Sequence, residues 1–347
     1  VLRGVLGADL VAFHTHDYMR HFISTVERVL HLDFRLDEVQ LGDRVVRVNA
    51  LPMGINYDLY HGASQKPEVR AAVERTRRLF GSHKLVLAVD RLDYSKGILH
   101  RLWGFAAFLE HHPEYRGQVT LAMVIVPSRD HVGSYAELKT HIDEEIGSIN
   151  GKYSTMDWTP GCYFYHGFAF EELAAMYCVA DVALVTPLRD GMNLVAKEYI
   201  ATKTDNPGVL ILSEMAGAAV ELSEALQINP NDIGQIERSL VEALTMPVGE
   251  QRRRIRDMQR TICTQTVDKW AADFLEELDA TRRKNERLRR KRISVGTTAA
   301  VRAAYGRAKR RLLLFDYDGT LAALRPRPED AAPTPELLDL LRRLSGD

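Results

Sequence analysis

The stretch VTPLRDGMNLVAKEYIA, Val185 to Ala201, decides how the fold is read. The apolar run Val182 to Val185 that leads into it reads as a buried strand. Pro187 to Gly191 break that run, and a helical pattern begins after Gly191. Strand, turn, glycine and helix in this order build an anion site in α/β proteins. The first amides of the helix have no intrahelical partner and carry partial positive charge. Asp190 and Glu198 bracket the turn and the helix. Eight residues at the helical rise span roughly 12 Å, enough to reach both ends of a phosphorylated sugar. An isolated Asp-Gly would read more simply as a helix cap followed by a solvated glutamate. The rest of the chain shifts the balance toward a site.

The chain has 347 residues, of which 46% are hydrophobic, with a formal net charge of −1. That is ample for a sizeable core and predicts two domains with a third, smaller piece. Balanced charge supplies no pull toward nucleic acid or a membrane surface, and neither is expected as a partner. Cys162, Cys178 and Cys263 lack metal-ligand spacing and read as buried thiols of a reducing compartment, so a cytoplasmic location is expected. No run approaches the about 18 apolar residues of a membrane span, and no signal peptide is visible. The sequence opens on Val1 in mid-pattern and stops at Asp347 soon after a new motif, which reads as a fragment cut at both ends.

Outward from Val185 the pattern alternates. Leu10 to Phe13 reads as a strand, followed by a helix through HTHDYMRHFISTVERVL. RVVRVNALPMGIN is a strand ending in a turn. Lys84 to Val89 is a continuous apolar strand, as a parallel sheet covered on both faces requires. Then come a helix around LHRLWGFAAFLEHHP, a strand from Val119 to Val126, a helix from Ser134 to Ile149, a strand at CYFYHG and a helix at EELAAMYCVA. After the helix that follows Gly191, GVLILS and LQINP read as strands and IGQIERSLVEALTM as a helix. Strict alternation predicts a doubly wound sheet with ligands at the carboxyl ends of the strands. Beyond Pro247 one long charged helix is expected, EQRRRIRDMQ through RRKR. Its basic end, Arg282 to Arg292, reads as a solvated terminus and linker rather than a nucleic-acid or acidic-lipid patch. SVGTTAAVRAAYG reads as a hinge, and RLLLFDYDGTL as the start of another strand-and-loop unit.

Several strand ends carry chemistry. In VDRLDYSKG, Arg91 and Lys96 lie five apart beside a helix start. Two fixed cations suit a diphosphate, because they offset charge building on a leaving phosphate. Surface pairing with Asp90 and Asp93 is the plainer alternative. In VPSRD, Arg129 is suited to a second phosphate or to a surface pair with Asp130. His14 and His16 in HTHDY lack a third ligand at sensible spacing and read as capping and packing residues rather than a metal pair. EMAGAAVEL reads as a tight turn of small residues, packed close between helix and sheet. In FDYDGTL an apolar run ends in two carboxylates, Asp316 and Asp318. One could attack a phosphoryl group while the other positions a proton, with Mg2+ offsetting their repulsion.

Taken together, VDRLDYSKG, VPSRD, INGKY with DWTP, and TPLRDGMNLVAKEY with NPGVLILSEMAGAA resemble the trehalose-6-phosphate synthases, GT-B glycosyltransferases of family 20. The resemblance runs from Val1 to about Leu278 and covers only the second half or so of the family's synthase unit. From Leu312 the chain resembles the start of a haloacid-dehalogenase-type phosphatase, the order found in fused, bifunctional synthase–phosphatases. The implied fold is α/β of GT-B type: a doubly wound, Rossmann-like nucleotide-sugar-binding domain plus the tail of a second Rossmann-like domain. The implied division is 1–62, tail of a truncated N-terminal, acceptor-side domain; 63–250, UDP-glucose-binding domain; 251–285, a charged helix around Trp270 crossing back to the N-terminal domain; 286–310, linker; and 311–347, truncated start of the phosphatase.

The resemblance also implies roles. Arg91 and Lys96 would hold the diphosphate of UDP-glucose, and Asp190 would contact hydroxyls of the donor glucose. The amides of Gly191, Met192 and Asn193 would lie against sugar and phosphates, with Leu194 and Val195 completing the turn. Glu198 would bind the ribose, Phe168 would lie near the uracil, and Arg129 would grip the phosphate of glucose 6-phosphate. Asp316 would be the phosphatase nucleophile and Asp318 its acid/base, both near Mg2+. The implied reaction moves glucose from UDP-glucose to glucose 6-phosphate with retention, needing no cofactor, metal or protein nucleophile in the synthase part. In the family the N-terminal half carries a glycine loop and most of the acceptor pocket, so the chain alone is expected to be inactive. A homo-oligomer or a trehalose synthase complex is a candidate assembly. The alternatives are a non-catalytic regulatory subunit, a GT-B enzyme with another phosphorylated acceptor, and a phosphatase that uses the synthase part as scaffold.

Overall fold

The structure, a computed structural model, describes every residue except 129–132, 205–206, 292–294, 318–319, 324–326, 328–330 and 346–347. A one-turn helix α1 (Leu2–Val5) precedes β1 (Leu10–Phe13), α2 (His16–Leu30), β2 (Phe34–Arg35), β3 (Glu38–Leu41) and β4 (Arg44–Ala50). These strands form a sheet in the order β1-β4-β3-β2, with β1 parallel to β4 and the other pairs antiparallel. The hairpin of β2 and β3 was not anticipated. Its turn uses Leu36 at φ 57 and lacks the Asn-Gly or Asp-Gly pair that marks such turns in sequence.

After α3 (Tyr57–His61) and α4 (Pro67–Phe80) the alternation begins: β5 (Lys84–Arg91), α5 (Ile98–His111), β6 (Val119–Val126), α6 (Gly133–Tyr153), β7 (Gly161–Phe164), α7 (Phe170–Val179), β8 (Val182–Val185), α8 (Leu194–Thr202), β9 (Val209–Ser213), β10 (Leu226–Ile228) and α9 (Ile233–Thr245). The six strands are all parallel, in the order β10-β9-β8-β5-β6-β7. The chain winds outward from β5 through β6 to β7, then returns to β8 on the other side of β5. The β5–β8 junction is therefore the switch point, where the loops after two neighbouring strands diverge and leave a crevice.

Side-chain alternation splits the core between the two faces of this sheet. Leu85, Leu87, Ala183, Val185, Leu210 and Leu212 pack on one face with Tyr177, Ala196, Tyr199 and Ile200 of the covering helices. Val86, Ala88, Leu121, Met123, Leu184 and Ile211 pack on the other, with Leu102, Phe105, Ile142, Ile236 and Leu240. Full burial of one such Leu or Ile contributes about 1.5–3 kcal/mol, which is why continuous apolar runs specify two-sided strands.

The charged segment after Pro247 is two helices, not the one expected: α10 (Val248–Ile262) and α11 (Val267–Lys291). Tertiary pairing makes the break. Thr266 forms a parallel bridge with Ile55, Val267 N donates to Ile55 O at 3.0 Å, and Thr266 Oγ1 accepts from Lys269 N at 3.2 Å. Gly54 permits this approach, since a Cβ there would lie 1.9 Å from Gln265 O. Helix α11 then lies against the four-stranded sheet. Trp270 Nε1 donates to Leu51 O at 3.2 Å, and Arg47 pairs with Glu277 at 2.7 Å. The amide of Asn285 donates to Val45 O at 3.0 Å and accepts from Val45 N at 2.8 Å.

Residues Val1–Arg289 form one unit and Arg290–Asp347 a second. The second holds α12 (Val295–Arg307) and α13 (Pro335–Ser345). The stretch expected to be a hinge is thus a helix, because its alanines favour helix more than their smallness favours flexibility. The strand expected at Leu312 to Phe315 is not formed. Leu312 and Leu314 are 83% and 86% exposed, with no strand beside them among the described residues. No helix among the described residues is long and apolar enough to cross a membrane.

Candidate active site

The site begins where β5 ends. Asp90 and Arg91 are its last two residues, and a turn of 3-10 helix at Tyr94–Lys96 follows. Asp93 caps that turn, its Oδ1 accepting from Ser95 N at 2.9 Å and Ser95 Oγ at 2.8 Å. Gly97 then enters α5 at φ 63. A Cβ at Gly97 would meet Thr186 O at 2.1 Å, so the loops after β5 and β8 touch backbone to backbone here.

The loop after β8 supplies the other wall. Asn193 caps α8 at φ 76, its Oδ1 accepting from Ala196 N at 3.1 Å. Its Nδ2 turns back and donates to Asp190 Oδ2 at 3.1 Å, while Met192 N donates to Asp190 Oδ1 at 3.3 Å. Lys96 Nζ completes the set, 2.6 Å from Asp190 Oδ2, with both side chains 14% exposed. Asp190 is thereby oriented by the cation of one loop and the helix start of the other.

Arg91, Lys96, Asp190, Gly191, Met192, Asn193, Leu194 and Val195, all singled out in the sequence, line one cavity of about 380 Å3. Its remaining walls, His14, Met53, Val89 and Asp90, were not assigned from sequence. His14 was read as a cap or packing residue. Thr15 is the cap of α2, accepting from Tyr18 N at 3.3 Å, whereas His14 faces the cavity and its Nδ1 has no hydrogen-bond partner among the described residues. His16 begins α2 and is exposed. No group of three or more His, Cys, Asp or Glu side chains placed to hold a metal ion is found among the described residues.

The small residues at EMAGAA, read as helix–sheet packing, instead strap the Asp190 turn. Asp190 N donates to Met215 O at 3.2 Å, Gly217 N to Asp190 O at 3.1 Å, and Ala218 N to Met192 O at 2.7 Å. A Cβ on Gly217 would lie 2.1 Å from Gly191 O, so only glycine allows the strap. The sequence signal was the run of small residues itself; its partner was not readable.

Glu198 and Phe168 lie apart from this lining. Glu198 Oε2 accepts from Tyr177 Oη at 2.9 Å. Burial raises its pKa above the ordinary glutamate value, against the opposing hydrogen bonds of Tyr177 and Tyr60. Phe168 packs tilted against His166 and edge-on against Phe164, with centroids 4.5 and 5.3 Å away, and lines a separate cavity of about 160 Å3 with Phe80 and Met176. Arg129 and Asp318 lie outside the described residues. Asp316, in the second unit, is exposed and accepts from Thr320 Oγ1 at 3.1 Å. The expected Mg2+ position between Asp316 and Asp318 therefore lies in part outside the described residues.

Comparison with known proteins gives the family. The family model described as glycosyltransferase family 20 matches residues 1–280. The chain is 44% identical over 348 aligned residues to the bifunctional trehalose-6-phosphate synthase/phosphatase of Thermoproteus tenax, covering 100% of this chain and 48% of that protein. It is 40% identical over 281 residues to the UDP-forming alpha,alpha-trehalose-phosphate synthase 56 kDa subunit of Saccharomyces cerevisiae, covering 81% and 57%. Among solved structures, the UDP-forming synthase of Burkholderia xenovorans in complex with glucose-6-phosphate superposes with a TM-score of 0.77 at 35% identity, covering 80% of this chain and 62% of that one. An E. coli structure bound with UDP-2-fluoro glucose gives a TM-score of 0.76 at 33% identity, covering 80% and 62%. The fold is α/β of GT-B type. The chain spans about half the length of the first curated relatives it matches.

Proposed function

This chain belongs to glycosyltransferase family 20, and from that premise we propose that it carries the donor site of a retaining glycosyltransferase that makes trehalose 6-phosphate from UDP-glucose and glucose 6-phosphate. The supporting observation is the convergence of Arg91, Lys96, Asp190 and the Gly191–Asn193 turn on one cavity at the switch point. Arg91 and Lys96 would take the diphosphate, and the positive end of the α8 dipole would stabilise the charge that grows on departing UDP. Asp190 would accept hydrogen bonds from hydroxyls of the glucose. Glu198 would hold the ribose, the backbone near Phe168 the uracil, and Arg129 the acceptor phosphate. The reading needs no protein nucleophile, cofactor or metal: positioning and a preorganised field supply the rate. The relatives crystallised with glucose-6-phosphate and with a UDP-glucose analogue support both substrates.

For the segment from Leu312 onward, the T. tenax relative's bifunctional description supports a phosphatase start, with Asp316 as nucleophile, Asp318 as acid/base and Mg2+ between them. A cytoplasmic setting fits the three free cysteines, of which only Cys178 is buried as expected, while Cys162 is partly buried and Cys263 is exposed. The full protein would act as a homo-oligomer or within a trehalose synthase complex.

Calorimetric titration of the chain with UDP and UDP-glucose tests the donor site. Saturable binding of both is expected. A folded chain that binds neither overturns the proposal. Release of UDP by the full-length protein only when glucose 6-phosphate is supplied, and not with other phosphorylated acceptors, tests the acceptor.

A further inference from the structure

Arg91 ends β5, Lys96 and Asp190 lie on the loops after β5 and β8, and one buried side chain is bonded to both sides of this junction. Arg101, on the first turn of α5, is fully buried. Its Nη2 donates to Asp90 Oδ2 at 2.7 Å, at the end of β5. Its Nε donates to Thr186 Oγ1 at 3.2 Å, immediately after β8, and that hydroxyl donates on to Gly97 O at 3.4 Å. Above this layer Ser95 O accepts from Leu188 N at 2.7 Å and Arg189 N at 3.2 Å.

We propose that Arg101 is a positioning residue of the donor site: one guanidinium grips Asp90 and Thr186, and so holds Arg91 and Lys96 at a set distance from Asp190. A buried ion pair is a costly way to fill a core, and apolar replacements are often as stable. What the rigid fork of donors adds is a fixed geometry between two acceptors on two strands, which a flexible ammonium does not reproduce. Asp90 itself lines the cavity beside Arg91, so a shift of Asp90 is a shift of the cavity wall. The proposal rests on the donor-site reading above, but the brace can be measured without ligand.

Two variants separate geometry from folding. Arg101→Lys keeps the charge beside Asp90 and loses the fork. Thr186→Val removes one hydroxyl and keeps the volume. Hydrogen exchange on the ligand-free chain should show the Leu188 and Arg189 amides exchanging roughly tenfold faster in both variants, while β9 amides keep their protection. UDP titration should show affinity falling roughly tenfold for Arg101→Lys and less for Thr186→Val. Unchanged exchange at Leu188 and Arg189 in both variants overturns the brace. Faster exchange with unchanged UDP affinity overturns its role in positioning. Faster exchange in a chain whose wild type binds no UDP upholds the brace and refutes the donor-site reading. If Arg101→Lys fails to fold, Thr186→Val carries the same three outcomes.

Discussion

Two apolar runs in this molecule each end in an acidic loop, and only one becomes a built site. Val182 to Val185 is at most 3% exposed, flanked by β5 on one side and β9 on the other. Its loop is pinned by Lys96, by Asn193 and by the Met215–Ala218 strap. Leu312 to Phe315 is the same kind of run, yet Leu314 is 86% exposed and Asp316 contacts Thr320 of its own loop. The motif supplies a carboxylate in both places. Neighbouring strands supply the distances, and only the first motif has them among the described residues.

That contrast can be broken at several points. Leu210→Ala on β9 should cost about 3 kcal/mol of stability by denaturant titration, and Leu314→Ala within about 0.5 kcal/mol. Equal losses would mean that Leu314 is packed in solution. The double variant Arg91→Ala/Lys96→Ala should weaken UDP binding about 100-fold, while Asp316→Asn leaves it unchanged. A change with Asp316→Asn would tie the second unit to the first site. Asp190→Asn should bind UDP about three- to tenfold more tightly while losing its preference for UDP-glucose over UDP. It removes a carboxylate from a diphosphate site and releases Lys96 to the phosphates. Weaker UDP binding would show that Asp190 holds Lys96 in place rather than competing for it.

The smallest effect is a pH slope. Burial raises the Glu198 pKa above its ordinary 4.5, so the folded state keeps its proton where the unfolded chain has lost it. The stability this contributes is full below pH 4.5 and is lost as pH rises through the folded value. Unfolding titrations across this range should give a less negative slope for Glu198→Gln than for wild type. Identical slopes would place Glu198 in contact with water.

The parallel sheet was legible because two-sided burial demands uninterrupted apolar strands, and Lys84 to Val89 and Val119 to Val126 have no other use for such runs. The central site was joined through the family resemblance, which assigned Arg91, Lys96 and Asp190 to one ligand; the adjacency of β5 and β8 that brings them together does not follow from strict alternation alone. What stayed hidden depends on partners far along the chain. Ile55 breaks the long helix at Thr266, and no residue near Thr266 says so beyond a threonine suited to capping. Arg101 looked like one more helix arginine, because its acceptors are 11 and 85 positions away. His14 sat in a segment assigned to packing, since its facing wall at Gly191 belongs to a distant loop.

Asn285 has one further effect. Val45 lies two residues before the β4 segment that pairs with β1, and the carboxamide of Asn285 bonds both its N–H and its C=O. A side chain from a helix thus stands in for the peptide group of an absent strand. Capping Val45 in this way closes the ladder of β4 at the point beyond the reach of β1, so another strand cannot pair with Val45 there, at the cost of a single residue.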